Sequence, residues 1–146
     1  MKPLILCVGN RYLAEDDTGP RVYDRLCAPP GPPPEVAVLD GGLAGLALLP
    51  LLEGRPRVVF VDRVEGFAPP GEVVTLRGEA VAALANGYGH NAGIPYLLAM
   101  LPKVSPPPWP EALLVGMAGE PDPSAIERLA RYSIEVARHG LDSTRP

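Results

Sequence analysis

The stretch Pro3-Leu4-Ile5-Leu6-Cys7-Val8 is apolar without a break and stops at Gly9-Asn10. A strand with one buried face alternates apolar and polar residues, whereas an unbroken run of this length marks a strand covered on both faces. Arg57-Val58-Val59-Phe60-Val61, stopped by Asp62, and Ala112–Val115 repeat the pattern. Val36–Leu39 is a shorter strand closing at Asp40-Gly41-Gly42, and Val73–Leu76, after the turn Pro69-Pro70-Gly71, is expected at the edge of the sheet. The intervening stretches read as helices. One runs from Pro20 with Val22, Tyr23, Leu26 and Cys27 on one face, until the Pro-Gly run 29–34 ends it. Others are expected over Leu43–Leu52 and Asn91–Leu101. The last opens with capping-box spacing at Ser124-x-x-Glu127, lines Ile126, Leu129, Ala130, Ile134 and Ala137 on one face, and stops at Gly140. Strands alternating with helices at this spacing specify an α/β domain with a mostly parallel sheet.

Length and composition narrow the class. A chain of 146 residues is expected to form one domain over 1–146, with 140–146 as a tail. With 47% hydrophobic and 21% charged residues it can bury a core, and its net charge of −4 argues against a nucleic-acid binder held by phosphate contacts. The first ten residues carry too short an apolar run for a signal-peptide core. The apolar run Gly41–Leu52 covers 12 residues, where a membrane span needs roughly 20. A cytoplasmic protein without membrane contact is the expectation. Cys7 and Cys27 lack metal-ligand spacing and read as buried free thiols.

In open α/β sheets, ligands bind beyond the carboxyl ends of the strands. The residues at those ends are Gly9 to Gly19, with Glu15, Asp16 and Asp17; then Asp40-Gly41-Gly42-Leu43-Ala44-Gly45; then Asp62. His90 is expected in a polar loop, Asn86-Gly87-Tyr88-Gly89-His90-Asn91, just before a helix. The first loop lacks the G-x-G-x-x-G spacing of a dinucleotide site, and its three acids would repel phosphate. Two carboxylates and an imidazole suit a divalent metal such as zinc or nickel. The same acids also suit the blander role of helix caps or dipole partners. His139, near the end of the last helix, reads as a dipole partner. Trp109, inside a Pro-rich loop, reads as a packed lid residue. No serine stands in a nucleophile-elbow context, and neither cysteine has a histidine beside it.

These loops, taken in order, resemble those of the hydrogenase maturation proteases. The resemblance is carried by Gly9-Asn10 with Asp16 and Gly19, by Asp40-Gly41-Gly42 with Gly45, and by Val59-Phe60-Val61-Asp62 with Pro70-Gly71. His90 with Gly93 and Leu98, and Leu114-Val115-Gly116, complete the set. It implies a three-layer α/β sandwich around a five-stranded, mainly parallel sheet with one antiparallel edge strand. It further implies that Asp16, Asp62 and His90 form a metal-binding and catalytic site. Counting from both Asn10 and Gly19 selects Asp16 over Asp17. The sequence departs from the family pattern at Leu43, where a threonine is usual, and at Met117-Ala118-Gly119.

The implied activity is that of an endopeptidase removing the C-terminal extension of a nickel-loaded hydrogenase large-subunit precursor. The nickel would arrive with the precursor, with zinc or cadmium able to take its place. The precursor's tail is expected across Asp40, Gly41, Gly42 and Gly45, and the protein is expected to act as a monomer. A second reading is a nickel-sensing chaperone or checkpoint protein that binds the same precursor without cutting it. A third is a small-molecule hydrolase or transferase using the same strand-end acids.

Overall fold

The computed structural model describes residues 1–88 and 93–141. Five strands, β1 (Leu4–Val8), β2 (Ala37–Gly42), β3 (Arg57–Arg63), β4 (Val74–Arg77) and β5 (Glu111–Met117), form one sheet in the order β2-β1-β3-β5-β4. All neighbouring pairs are parallel except β4 with β5, which is antiparallel, so the expected antiparallel edge strand is β4.

The unbroken apolar strands are explained by a core on each side. Alternate side chains of β1, β3 and β5 point to opposite faces. Ile5, Cys7, Val59, Val61, Leu113, Val115 and Met117 meet helices α1 (Thr18–Cys27) and α5 (Pro123–His139) on one face. Leu4, Leu6, Val8, Val58, Phe60 and Leu114 meet α2 (Leu49–Leu52), α3 (Gly78–Tyr88) and α4 (Gly93–Val104) on the other. Each fully buried aliphatic or aromatic side chain here stabilises the fold by roughly 1.5–3 kcal/mol relative to exposure. The result is the three-layer arrangement expected from the sequence. No helix among the described residues is long and apolar enough to cross a membrane.

Several local expectations are corrected. Helix α3 was not anticipated, and Asn86–Tyr88, expected in a loop, belong to its last turn. The stretch expected as one helix over 43–52 is a 3-10 turn, Gly45–Leu48, followed by the single-turn α2. Strands β2 and β3 run further than expected: Asp40 to Gly42 and Asp62 lie within strands, with a bulge in β1–β2 pairing between Cys7 and Val8. Helix α5 starts at Pro123 and is capped by Asp122, whose carboxylate accepts from the Ala125 amide at 2.8 Å. The expected box partner Glu127 instead pairs with Arg25 of α1. Cys7 is buried, but Cys27 is exposed, because α1 turns its Thr18, Gly19, Val22 and Leu26 stripe inward and leaves the last residue outside it. Both thiols are free. Of the tail, residues 142–146 lie outside the described residues.

Candidate active site

The strand order places a topological switch at β1: the chain moves from β1 to β2 on one side and to β3 on the other. The crevice beyond the carboxyl ends of β1 and β3 is where such a fold binds its ligand. A cavity of about 260 Å³ opens there, lined by Asp16, Asp62, Gly9, Gly42 and Gly45 with an apolar floor of Val8, Leu48, Ile94 and Leu97. A second, shallower hollow of about 430 Å³ adjoins it across Gly9, Gly42 and Leu43, and extends over Arg11 and Tyr12. Together they form a groove leading to the two carboxylates. Tyr12 and Leu43 stand along it 89% and 72% exposed.

Two glycines bring the backbones close enough to build this crevice. A Cβ on Gly19 would lie 2.1 Å from the Val8 carbonyl oxygen and 2.8 Å from that of Val61, so only glycine lets α1 start directly against the ends of β1 and β3. A Cβ on Gly116 would lie 2.0 Å from the Asp62 carbonyl oxygen, so β5 must present glycine opposite Asp62.

Asp62 closes β3 and accepts a hydrogen bond from the Arg63 amide at 2.8 Å. Burial, with a smaller push from the negative charge of Asp16, raises its pKa to about 7 despite that bond. Asp16 ends the 3-10 turn Ala14–Asp16 and accepts from the Asn10 amide through its carboxylate at 3.2 Å. The two acids come from segments 46 residues apart, the difference of their numbers, and meet on the wall of one cavity. Asp17 stands at the start of α1 without a side-chain capping bond and does not line that cavity.

His90 lies outside the described residues; α4, which follows it in sequence, puts Gly93 on the same cavity wall as Asp16 and Asp62. Among the described residues, no group of three or more metal-ligating side chains occurs. The donor set in view is therefore the carboxylate pair, which suits a hard or borderline divalent cation with further ligands to be supplied.

Of the residues expected under the precursor's tail, Gly42 and Gly45 line the inner cavity and hold φ of +52° and +59°, which favours glycine. Gly41 is buried beneath, against Val8 and Leu6. Asp40 is committed to the fold: its carboxylate accepts from Arg11 at 3.0 Å and from the Gly42 amide at 3.0 Å. Arg11 also holds Asp24 of α1, at 3.2 Å, and so clamps the first loop to both neighbours.

Sequence reading missed Arg63. Its guanidinium donates to the Glu15 carbonyl oxygen and to the Glu65 carboxylate. Only the position of a cation directly after the strand-end acid hinted at it. Neither cysteine lines the cavity or the hollow beside it, and burial drives the Cys7 thiol far above its ordinary pKa. Trp109 lies at the opposite end of the sheet, 48% exposed rather than packed, with its indole N–H on the Ser105 carbonyl at 3.0 Å.

A family model described as hydrogenase maturation protease matches residues 20–121, a stretch that includes Asp40, Asp62 and His90 and begins just after Asp16. The hydrogenase 2 maturation protease of Escherichia coli K12 is 33% identical over 104 residues, 69% of this chain and 63% of that protein. The hydrogenase expression/formation protein HupD of Rhodobacter capsulatus is 38% identical over 80 residues, 55% of this chain and 38% of its own. The match thus spans less than two thirds of either relative's length. In structure, the chain is similar to the hydrogenase maturating endopeptidase HybD of Escherichia coli, with a TM-score of 0.72 and 27% identity, covering 98% of this chain and 93% of that one. It is also similar to a hydrogenase 2 maturation peptidase from a Thaumarchaeota archaeon, with a TM-score of 0.60 and 28% identity, covering 97% and 99%.

Proposed function

The chain belongs to the hydrogenase maturation protease family, and on that premise we propose that it is an endopeptidase removing the C-terminal extension of a nickel-loaded nickel–iron hydrogenase large-subunit precursor. The observation that carries this reading is the pairing of Asp16 with a buried Asp62 at the end of an open, apolar-rimmed groove. A closed pocket would suit a small molecule; a groove continued over Gly42 and Leu43 to Tyr12 suits an extended peptide.

In this reading the nickel is part of the substrate. Asp16, Asp62 and His90 take positions on it, and the precursor's tail lies across Gly42 and Gly45. Zinc or cadmium, which accept the same donors, can stand in for nickel. Bound there, the metal offers Lewis acidity toward the scissile carbonyl. The chain's own contribution is positional and protonic. Asp62 holds a proton near neutral pH because its charged form is poorly solvated, and it gives that proton up when a cation arrives. The buried floor of Val8, Leu48, Ile94 and Leu97 excludes water from one side of the pair. Tyr12 and Leu43 supply apolar contact for the partner at the rim. The protein works in the cytoplasm as a monomer that meets its large partner transiently.

The test is to incubate the purified protein with the large-subunit precursor from the same genome, with and without nickel loading, and to measure the precursor's intact mass. The reading predicts loss of one discrete C-terminal peptide, only in the nickel-loaded sample. Nickel-dependent complex formation with an unchanged mass would instead establish the non-cutting checkpoint protein.

A further inference from the structure

Arg63 touches both halves of the acid pair. Its amide donates to the Asp62 carboxylate at 2.8 Å. Its side chain crosses to the first loop and donates to the Glu15 carbonyl oxygen, the oxygen of the peptide bond that carries Asp16. Among the described residues, the bonds of Asp16 itself stay within its loop: its amide donates to Leu13 at 2.9 Å, and its carbonyl and carboxylate accept from the Asn10 amide at 2.9 and 3.2 Å. The bond from Arg63 ties this turn to β3. The guanidinium is itself fixed by Glu65, whose carboxylate also accepts from the Gly119 amide at 3.0 Å. Three loops, those after β1, β3 and β5, are thereby joined through two side chains, Arg63 and Glu65.

We propose that Arg63, anchored by Glu65, is the positioning residue that sets the spacing of the Asp16 and Asp62 carboxylates for a divalent cation. The inference rests on the reading of those acids as a nickel-holding pair. Outer groups that orient metal ligands change affinity by about 10- to 100-fold when removed. Electrostatics alone predicts the opposite sign here: deleting a positive charge beside two carboxylates should strengthen their hold on a cation. The sign of the effect therefore separates positioning from simple charge.

The experiment is calorimetric titration of nickel(II) chloride at pH 8 into the wild-type protein and into Arg63→Ala, Arg63→Lys and Glu65→Gln, with a thermal melt of each. Positioning predicts binding at least about tenfold weaker in Arg63→Ala, with a melting midpoint close to wild type. Arg63→Lys keeps the charge but cannot reach both acceptors, so it is expected to fall between the two. Glu65→Gln is expected to weaken binding about threefold, as an anchor one step removed. Unchanged or tighter binding in Arg63→Ala overturns the proposal. If that variant does not fold, wild-type affinity in both Arg63→Lys and Glu65→Gln overturns it instead. A wild-type protein that binds no nickel takes down both the proposal and the acid-pair reading, whereas intact wild-type binding with unaffected variants removes the proposal alone.

Discussion

The sheet carries hollows at both of its ends, and they are built differently. The one at the amino end of β5 and the carboxyl end of its antiparallel neighbour β4, of about 430 Å³, is walled by Leu98, Leu101, Trp109 and Leu113, and its lining also includes Arg77, Glu79 and Glu111, the last paired to Arg57. The one at the carboxyl ends of β1 and β3 is smaller, at about 260 Å³, yet holds two carboxylates from separate segments, one of them buried. The charged groups lining the first, Arg77, Glu79 and Glu111, are of both signs. Charge at the carboxyl end is crowded with its like and taken out of water. A site is better recognised by where the fold tolerates an electrostatic penalty, since that penalty is relieved only by something that binds.

The sharpest way to break this contrast is to exchange side chains at each end. Asp62→Ala or Asp16→Ala is expected to lower precursor cleavage by about a thousandfold or more, read as intact mass against time. Trp109→Ala is expected to leave the rate within about twofold. Comparable losses from both ends would erase the distinction.

A second effect concerns the glycines. Gly116→Ala drives a methyl group to 2.0 Å from the Asp62 carbonyl oxygen, in a sheet that cannot part. It should destabilise the protein by more than about 3 kcal/mol in urea unfolding. At the other end, Gly78→Ala meets the Ala112 oxygen at 2.9 Å, at the first residue of a helix, and should cost about 1–2 kcal/mol. A milder effect at Gly116 than at Gly78 would mean that the carboxyl edge is looser than its packing implies.

The pH response sharpens the comparison further. Because the Asp62 pKa is raised to about 7, the acid is protonated below that pH and a cation must displace the proton. Nickel affinity is expected to be constant above about pH 8 and to fall about tenfold per unit as pH drops below 7, measured by titration calorimetry. The folding contribution has the opposite course. Holding Asp62 ionised in the fold is unfavourable, so its penalty builds between the ordinary carboxyl range and about pH 7 and stays in full above that. Asp62→Asn should therefore melt higher than wild type at pH 8, on the order of 5 °C, with the gap closing toward pH 4. An equal gap at both pH values would show that burial does not tune this carboxyl.

The smallest expected effect is at the rim. Leu43→Ser should weaken binding of the precursor by about three- to tenfold while leaving nickel affinity unchanged, because Leu43 is 72% exposed and its apolar side chain offers no donor to a cation. Loss of nickel binding in that variant would mean that the groove and the acid pair are one unit.

The two ends were not equally legible in the sequence. Strands β1, β3 and β5 are readable because burial on both faces leaves an unbroken apolar run with a polar stop. Asp62 is readable for the same reason, being the residue where such a run ends, whereas Asp16 is singled out from Glu15 and Asp17 only by the resemblance to the family's first loop. Helix α3 hides because Ala80, Ala82, Ala83 and Ala85 give no contrast between faces, and the Asn86-Gly87 pair imitates a turn. The capping role of Asp122 hides behind the better-known spacing of Ser124 and Glu127; Pro123 at the first helical position was the signal that favoured it. For Arg63 the sequence offers only its place directly after the strand-end acid. Its partners Glu15 and Glu65, with Gly119 behind them, come together only once three loops are gathered at one edge.

The most direct test of the account is to soak crystals of the protein in nickel and collect data at the nickel absorption edge. The account predicts one dominant anomalous peak within coordination distance of the Asp16 and Asp62 carboxylates, absent from Asp62→Ala crystals. A dominant peak elsewhere, for example beside His139 and Glu135 on α5 or in the hollow under Trp109, would contradict it.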